Sequence, residues 1–359
     1  MKDVLTLQDE VAQDIAEEIR VKLTPEERTR LAGAHPVDPA AHDAYLRGRY
    51  FWNRRTEADL YKAKTYFDQA IAEDPQYPAA YSGLADTYFY LGYAWGHLLP
   101  REAMPMSKEA ALKALQLDDN SAEGHTSLGI VKMFYDWDFP GAKREFQRAV
   151  ALNPNYATAH HTYAVLLSAI GRFDESIAEA RKAVEVDPLS LPVNYILATL
   201  LQAAGRCEEA IAQDRKTQDL DPSPTHLMVA HTRLADCDEI MGRQKEALEE
   251  RVQARIASGS TPSEIAEFRK TYATSGKRGI LEKDLKAALQ RWNKDRWHED
   301  AFQISGFYAD LGDKDQAFAW IDKAIELRSG ALIWLFVGPS PLSSDPRFSE
   351  VKRKMGVQN

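Results

Sequence analysis

The stretch GRFDESIAEARKAVEVDP at 171–188 returns as GRCEEAIAQDRKTQDLDP at 205–222. Gly171 and Gly205 are 34 residues apart, and so are Pro188 and Pro222. A chain that keeps Gly, small residues and Pro at a fixed interval while exchanging its charged residues reuses one structural unit many times. The interval persists upstream. AEDP ends at Pro75, LQLDD at Asp119 and ALNP at Pro154, ahead of Pro188 and Pro222, with spacings of 44, 35, 34 and 34. The long spacing contains an insertion, AWGHLLPREAMP at 94–105, expected as a loop inside its unit whose Trp95, His97 and Leu98 cover apolar surface. The spacing of 35 holds one extra residue around DWDFPG.

Each unit has the same interior. Twelve residues before the anchor stand Ala63, Ser107, Ala142, Ser176 and Ala210; eight before it, Phe67, Ala111, Phe146, Ala180 and Asp214; five before it, Ala70, Ala114, Ala149, Ala183 and Thr217. Steps of four and three place these on one face of a helix. Small residues there let the helix approach its neighbours closely, and Pro stops it. A second helical stretch lies upstream in each unit, such as YATAHHTYAVLLSAIG at 156–171. Gly171, Gly205, Gly242 and Gly312 close such helices, where a left-handed residue is needed. The unit is a helix–turn–helix hairpin.

These residues resemble the tetratricopeptide repeat family, whose 34-residue unit carries small residues in both helices and a closing Pro. The resemblance implies an all-α fold, an α-α superhelix (solenoid) of helix–turn–helix repeats. It divides the chain into N-terminal capping helices and a linker (1–40), six repeats (41–258), a degenerate helix pair (259–296), a further repeat (297–330) and a C-terminal cap (331–359). Asp214 and Thr217 depart from the pattern, so the fifth unit is expected to pack loosely. Residues 2–22 read as a helix with Val4, Leu7, Val11, Ile15 and Ile19 on one stripe, to be buried on the first repeat around Tyr45, Tyr50 and Phe51 or on a second chain. The lead-in, with YLRGRYFWNRRT at 45–56, is similar to the junction in bacterial regulatory proteins, where such an array follows a winged-helix reader, a kinase or a nucleotide cyclase.

Charge and composition narrow the function. A net charge of −9 argues against binding nucleic-acid phosphates or anionic lipid. No run approaches the roughly 18–20 apolar residues of a membrane helix. Only Cys207 and Cys237 are present, expected near one another without a bond, and a cytoplasmic protein is the expectation. No metal or cofactor site stands out. The adjacent His160 and His161 face two sides of a helix, and SEVK at 349–352 spells a hydrolase motif without its companions. Arg47, Arg49, Arg54 and Arg55 either meet a phosphate or acidic partner or form a solvated face.

The resemblance implies a concave wall lined by the first helix of each unit. The residues falling there are Ser82, Asp86, Phe89 and Tyr90; Thr126, Ile130, Met133 and Phe134; His161 and Val165, with Ser168; and Tyr195, Thr199 and Gln202. Phe89, Phe134 and Tyr195 fit equally well as packing between helices. Relatives that grip the acidic tail of heat-shock chaperones use Lys and Asn at two of these positions, which here read Gly48/Trp52, Ser82/Asp86, Thr126/Ile130, His161/Val165 and Tyr195/Thr199. That clamp is absent. The expectation is a non-catalytic scaffold, monomer or weak dimer, holding a protein or extended peptide in the groove. The alternatives are the sensory half of a signalling or transcription-control protein and, further off, a hydrolase using the groove as a pocket.

Overall fold

The computed structural model describes residues 37–93, 98–221, 223–295 and 297–357. The helix expected at 2–22 lies outside the described residues, as do Trp95 and His97. Helices α1 (Pro39–Arg54) and α2 (Glu57–Glu73) form the first hairpin, α3 (Pro78–Tyr93) and α4 (Pro100–Leu117) the second, α5 (Ala122–Val131) and α6 (Phe139–Leu152) the third. The next three are α7 (Ala157–Ala169) with α8 (Phe173–Val186), α9 (Leu191–Ala203) with α10 (Cys207–Leu220), and α11 (Pro224–Ile240) with α12 (Gln244–Ala257). A long helix α13 (Pro262–Asp295) is interrupted at Gly276, at φ 61° and ψ −158°. Then α14 (His298–Leu311) pairs with α15 (Lys314–Glu326), followed by a 3-10 turn (Gly330–Leu335) and α16 (Pro346–Lys354). Successive hairpins stack into an α-α superhelix, with no strand among the described residues.

The residue before each anchor explains how one hairpin hands over to the next. Asp74, Asp118, Asn153 and Asp221 accept the backbone N–H two residues on, from Gln76, Asn120, Asn155 and Ser223, at 2.8–3.0 Å. This turn replaces the helical hydrogen bonds that end there. Inside the hairpin, Gly171, Gly205, Gly242 and Gly312 lie at φ 80°, 74°, 77° and 86°. The residue after each donates to the carbonyl five back, as Arg172 does to Leu167 at 2.8 Å. The third hairpin absorbs its extra residue differently. Lys132–Asp136 widens into a π turn, and Asp138 N–H reaches Lys132 O at 2.8 Å. The 94–105 insertion is helical from Pro100 onward rather than a loop, because Pro suits the first helical turn and Glu102 accepts the Leu99 amide. Leu98 packs against the core of the first two hairpins.

Close packing follows the small residues. Ala63, Ser107, Ala142, Ser176 and Ala210 are buried, and the Ser107 and Ser176 hydroxyls donate to the Ala85 and Ala164 carbonyls at 2.7 Å. Phe67 fills the space beside Gly48 and Gly83, where a Cβ would come within 2.6 and 2.4 Å of its ring. The loose packing expected at Asp214 and Thr217 is not what the fifth hairpin has. Both side chains are buried, and Asp214 accepts from the buried Arg233 Nε at 2.8 Å. Arg233 also donates to Thr199 Oγ1 at 2.5 Å and lies 4.5 Å from the Tyr195 ring. Replacing Arg233 alone by Leu strands a buried carboxylate and should cost about 3–5 kcal/mol. The Asp214→Leu, Arg233→Leu pair should recover most of that in urea unfolding. Equal stability of the single and double variants would refute the pairing.

Histidines recur at one register. His125 Nδ1 meets Glu145 at 2.6 Å and its Nε2 meets the Asp119 carbonyl at 2.9 Å; His160 does the same with Glu179 at 2.6 Å and Pro154 O at 2.8 Å. Each ring ties the second helix of its hairpin to the preceding turn. The fifth hairpin makes this tie with neutral groups, Asn194 Nδ2 to Pro188 O at 3.0 Å and Gln213 Nε2 to Asn194 Oδ1 at 2.7 Å. The Glu partners raise the proton affinity of His125 and His160 against the opposing effect of burial. A raised folded-state pKa gives stability that is complete below the unfolded value, about 6.5, and is lost as pH rises through the folded value. His160→Asn with Glu179→Gln, copying the fifth hairpin, should lessen the fall in Tm between about pH 6 and pH 9. An unchanged fall would mean the pair carries no charge.

Candidate binding groove

The first helices of successive hairpins pack against one another, and the residues expected from the sequence to line an inner wall separate into three groups. Phe89, Ile130, Met133, Phe134 and Val165 are buried in the largest apolar cluster. Phe89 stacks on Tyr93 with centroids 5.2 Å apart and meets Phe134 edge-on at 5.1 Å. The chain itself seals them. Trp334 Nε1 donates to Tyr93 Oη at 2.6 Å, and Gly330 lies so close to Tyr93 that a Cβ would come within 2.6 Å of its ring. Leu332 and Ile333 join the same cluster. Arg328 donates to Tyr135 O at 3.1 Å and lies 4.2 Å from the Trp137 ring. The segment expected as an end cap therefore has two parts. α16 covers α15 through Arg347–Asp315 at 2.8 Å and Lys354–Asp322 at 2.7 Å, while residues 328–338 turn back onto α3, the π turn and α9.

The second group turns inward on the fold. Ser82 and Thr126 donate to carbonyls four residues back at 3.4 and 2.8 Å, Arg233 engages Tyr195 and Thr199, and Ser168 is buried with no partner for its hydroxyl among the described residues. Gln202 is half-buried.

The third group, Asp86, Tyr90 and His161, meets three residues of the first hairpin. The Arg49 and Arg55 guanidinium groups lie 4.5 and 4.4 Å from the Trp52 ring, and Arg55 lies 4.1 Å from the Tyr90 ring. Arg55 Nη1 donates to Tyr90 Oη. Asp86 accepts from Ser127 Oγ at 2.6 Å and pairs with Arg49 at 3.6 Å. Burial pushes the Asp86 carboxyl up to about 6, with Arg49 and Ser127 pulling the other way. Burial, and then the Arg55 charge, push the His161 imidazole down to about 3, so it is neutral at pH 7. The four arginines read as one cluster thus divide. Arg47 and Arg54 face outward beside Asp43 and Asp59, and Arg49 and Arg55 face inward on aromatic rings. Extending the wall offsets to the first hairpin gives Tyr45, Arg49, Trp52 and Arg55, the signal that would have found them.

Cys207 and Cys237 are buried and free, and burial raises the Cys237 thiol, with the neighbouring Cys207 adding to the rise. Among the described residues no group of His, Cys, Asp and Glu could hold a metal, and no helix is long and apolar enough to cross a membrane.

A family model described as tetratricopeptide repeat matches residues 157–188 and 301–330, the fourth hairpin and the one formed by α14 and α15. The chain carries tetratricopeptide repeats. The array is 29% identical over 133 residues to the transcriptional regulator HilA of Salmonella typhimurium, covering 37% of this chain and 24% of that protein. It is 28% identical over 133 residues to putative adenylate cyclase 3 of Rhizobium meliloti, covering 36% of this chain and 22% of that protein. It spans about a quarter of the length of these curated relatives. A solved structure of a monomeric IFIT1 mutant with Gppp-AAAA superposes with a TM-score of 0.50 at 13% identity, covering 88% of this chain and 75% of that one. The likeness is one of fold.

The return of the tail across the tetratricopeptide wall is directly testable. Ending the chain after Ser329 should uncover Phe89, Tyr93 and Phe134 and raise binding of the dye ANS, with helical circular dichroism retained for the first six hairpins. Unchanged dye binding in a folded truncation would show that the tail does not seal this surface.

Proposed function

We propose that the chain is a non-catalytic scaffold that holds a protein or an extended peptide against the inner wall of its first hairpins. The observation that carries this reading is the Arg49–Trp52–Arg55–Tyr90 stack. Trp, Tyr and Arg are the residues that dominate interface energies, and stacking fixes these side chains before any partner arrives, which lowers the entropy cost of binding. Arg49 keeps 22% of its side chain exposed, so the stack opens on solvent. A cytoplasmic setting and a monomer or weak dimer go with this reading. A second reading is favoured by the match to HilA and to the putative cyclase. On that reading the wall receives the signal that a regulatory partner domain transmits.

The test is selection from a displayed library of random extended peptides against the full chain, followed by binding of the selected peptides to Arg49→Ala and Arg55→Ala. Both variants should bind at least about tenfold more weakly, the loss of one to two good interface contacts, measured at a temperature where circular dichroism shows each variant folded. Failure to select any peptide, or equal binding by both variants, would overturn the reading.

A further inference from the structure

The exposed face of α4 departs from the repeat. Thirteen residues before the anchor the other units place Lys62, Gly141, Glu175 and Glu209, and seven before it Asp68, Gln147, Arg181 and Arg215, none of them a large apolar residue. The second unit has Met106 and Leu112 at these positions. Both are exposed, at 46% and 48%. They line a groove of about 920 Å³ together with Ala110 and with Tyr81, Leu84 and Tyr88 of α3. The lysines around it are already engaged, Lys64 by Asp68 at 2.7 Å, Lys108 by Asp136 at 2.6 Å and Lys113 by Gln116 at 3.2 Å. What the groove offers is apolar surface, and contiguous exposed apolar surface marks a place where something docks.

The first described residue indicates the occupant. Val37 packs with Tyr77 and Ala80, and Tyr81, the residue after Ala80, lines the groove. The chain before Val37 is therefore tethered at the groove's end. Leu7, Val11, Ile15 and Ile19 recur there at steps of four, one stripe of a helix, with Asp9, Glu10, Gln13 and Glu17 on the opposite face. In helical form Leu7 to Ile19 covers about 18 Å, and the groove's wall on α4, Pro105 to Gln116, covers about 17 Å. The fourteen residues 23–36 can reach up to about 46 Å, enough to lay the stripe along α4 in either direction. The seat expected at the end of the first hairpin is largely taken. Tyr45 packs on Phe67 and Tyr77 with centroids 5.8 and 5.3 Å apart, and Phe51 stacks on Tyr66 at 5.5 Å.

We propose that the stripe Leu7, Val11, Ile15 and Ile19 docks as a helix in this groove, against Tyr81, Leu84, Tyr88, Met106 and Leu112 of the same chain. The lead-in of the array is then fastened to the second hairpin rather than to the end of the first. This is independent of the scaffold reading, because none of these residues belongs to the Arg49–Trp52–Arg55–Tyr90 stack.

The test places the photoreactive residue p-benzoylphenylalanine at Val11 of the full chain and maps its cross-links by mass spectrometry in a mixture of 15N-labelled and unlabelled protein. Cross-links should join position 11 to residues 81–116 of the same chain, and the same probe at Gln13 should give none there. Met106→Glu with Leu112→Glu, both at exposed positions, should lose these cross-links while helical circular dichroism is retained. Should that variant fail to fold, Leu7→Asp with Ile15→Asp carries the same expectation from the other side of the contact. Cross-links confined to residues 45–51 overturn the proposal in favour of the end of the first hairpin. Cross-links between labelled and unlabelled chains overturn it in favour of a second copy. It is equally overturned by cross-links that persist in a folded variant, by equal cross-linking from Gln13, or by none at all from Val11.

Discussion

The fold depends on how closely two helix backbones approach at the small-residue positions of each hairpin. Ala63, Ala142 and Ala210 leave nothing between the helices, and at Ser107 and Ser176 the approach is so close that a hydroxyl reaches a carbonyl of the partner helix. Any larger side chain there would separate the pair and undo the contacts on either side, because interiors packed to crystal density do not absorb extra volume. The Phe at the next turn depends on the same approach. Phe67 can enter between α1 and α3 only because Gly48 and Gly83 offer no Cβ, and Phe146 uses Gly129 in the same way. The hairpin is thus a rigid unit, and the Asx turn at its end sets how the next one stacks.

Much of this is local and was legible in the sequence. The period, the small-residue face, the glycine turns and the odd residue near Trp137 are all features of a few dozen neighbouring residues. What was not legible depends on distance along the chain. Asp214 looked like a defect because its partner Arg233 sits in the following unit, and only stacking brings the two together. Arg47, Arg49, Arg54 and Arg55 look alike as a string. The helix period sends Arg49 and Arg55 to the Trp52 ring and the other two to solvent, a local signal that shows only when the repeat offsets are extended to the first hairpin. The run GALIWLFVG at 330–338 has neither helical nor strand periodicity, and its burial on Tyr93 joins residues 241 positions apart.

That tail changes the energetics expected of a repeat array. In a simple solenoid each unit touches only its neighbours, and stability accumulates unit by unit. Here residues from the last hairpin onward pack on α3, on the π turn and on α9, as Trp334, Arg328 and Gly338 show. The second, third and fifth hairpins therefore share contacts that belong to none of them alone. Unfolding one end removes support from the other, so the array gains cooperativity beyond nearest neighbours.

The same closure explains why binding is best sought in the first hairpins. Across the middle of the wall the tail already occupies the apolar positions, and further on Arg233 consumes the hydroxyl and aromatic groups of the fifth hairpin. In the first hairpin Arg49 and Arg55 bring charge onto the Trp52 ring, while Trp52 Nε1 and Arg55 Nε keep donors without a partner among the described residues. Helix α3 lies between these regions. Tyr90 on it holds Arg55, and Tyr93, about one turn later, holds Trp334. A single rigid helix thus carries one contact to the stack and one to the tail. Helices packed this tightly move as units rather than by local give, so a displacement of α3 at either contact is felt at the other.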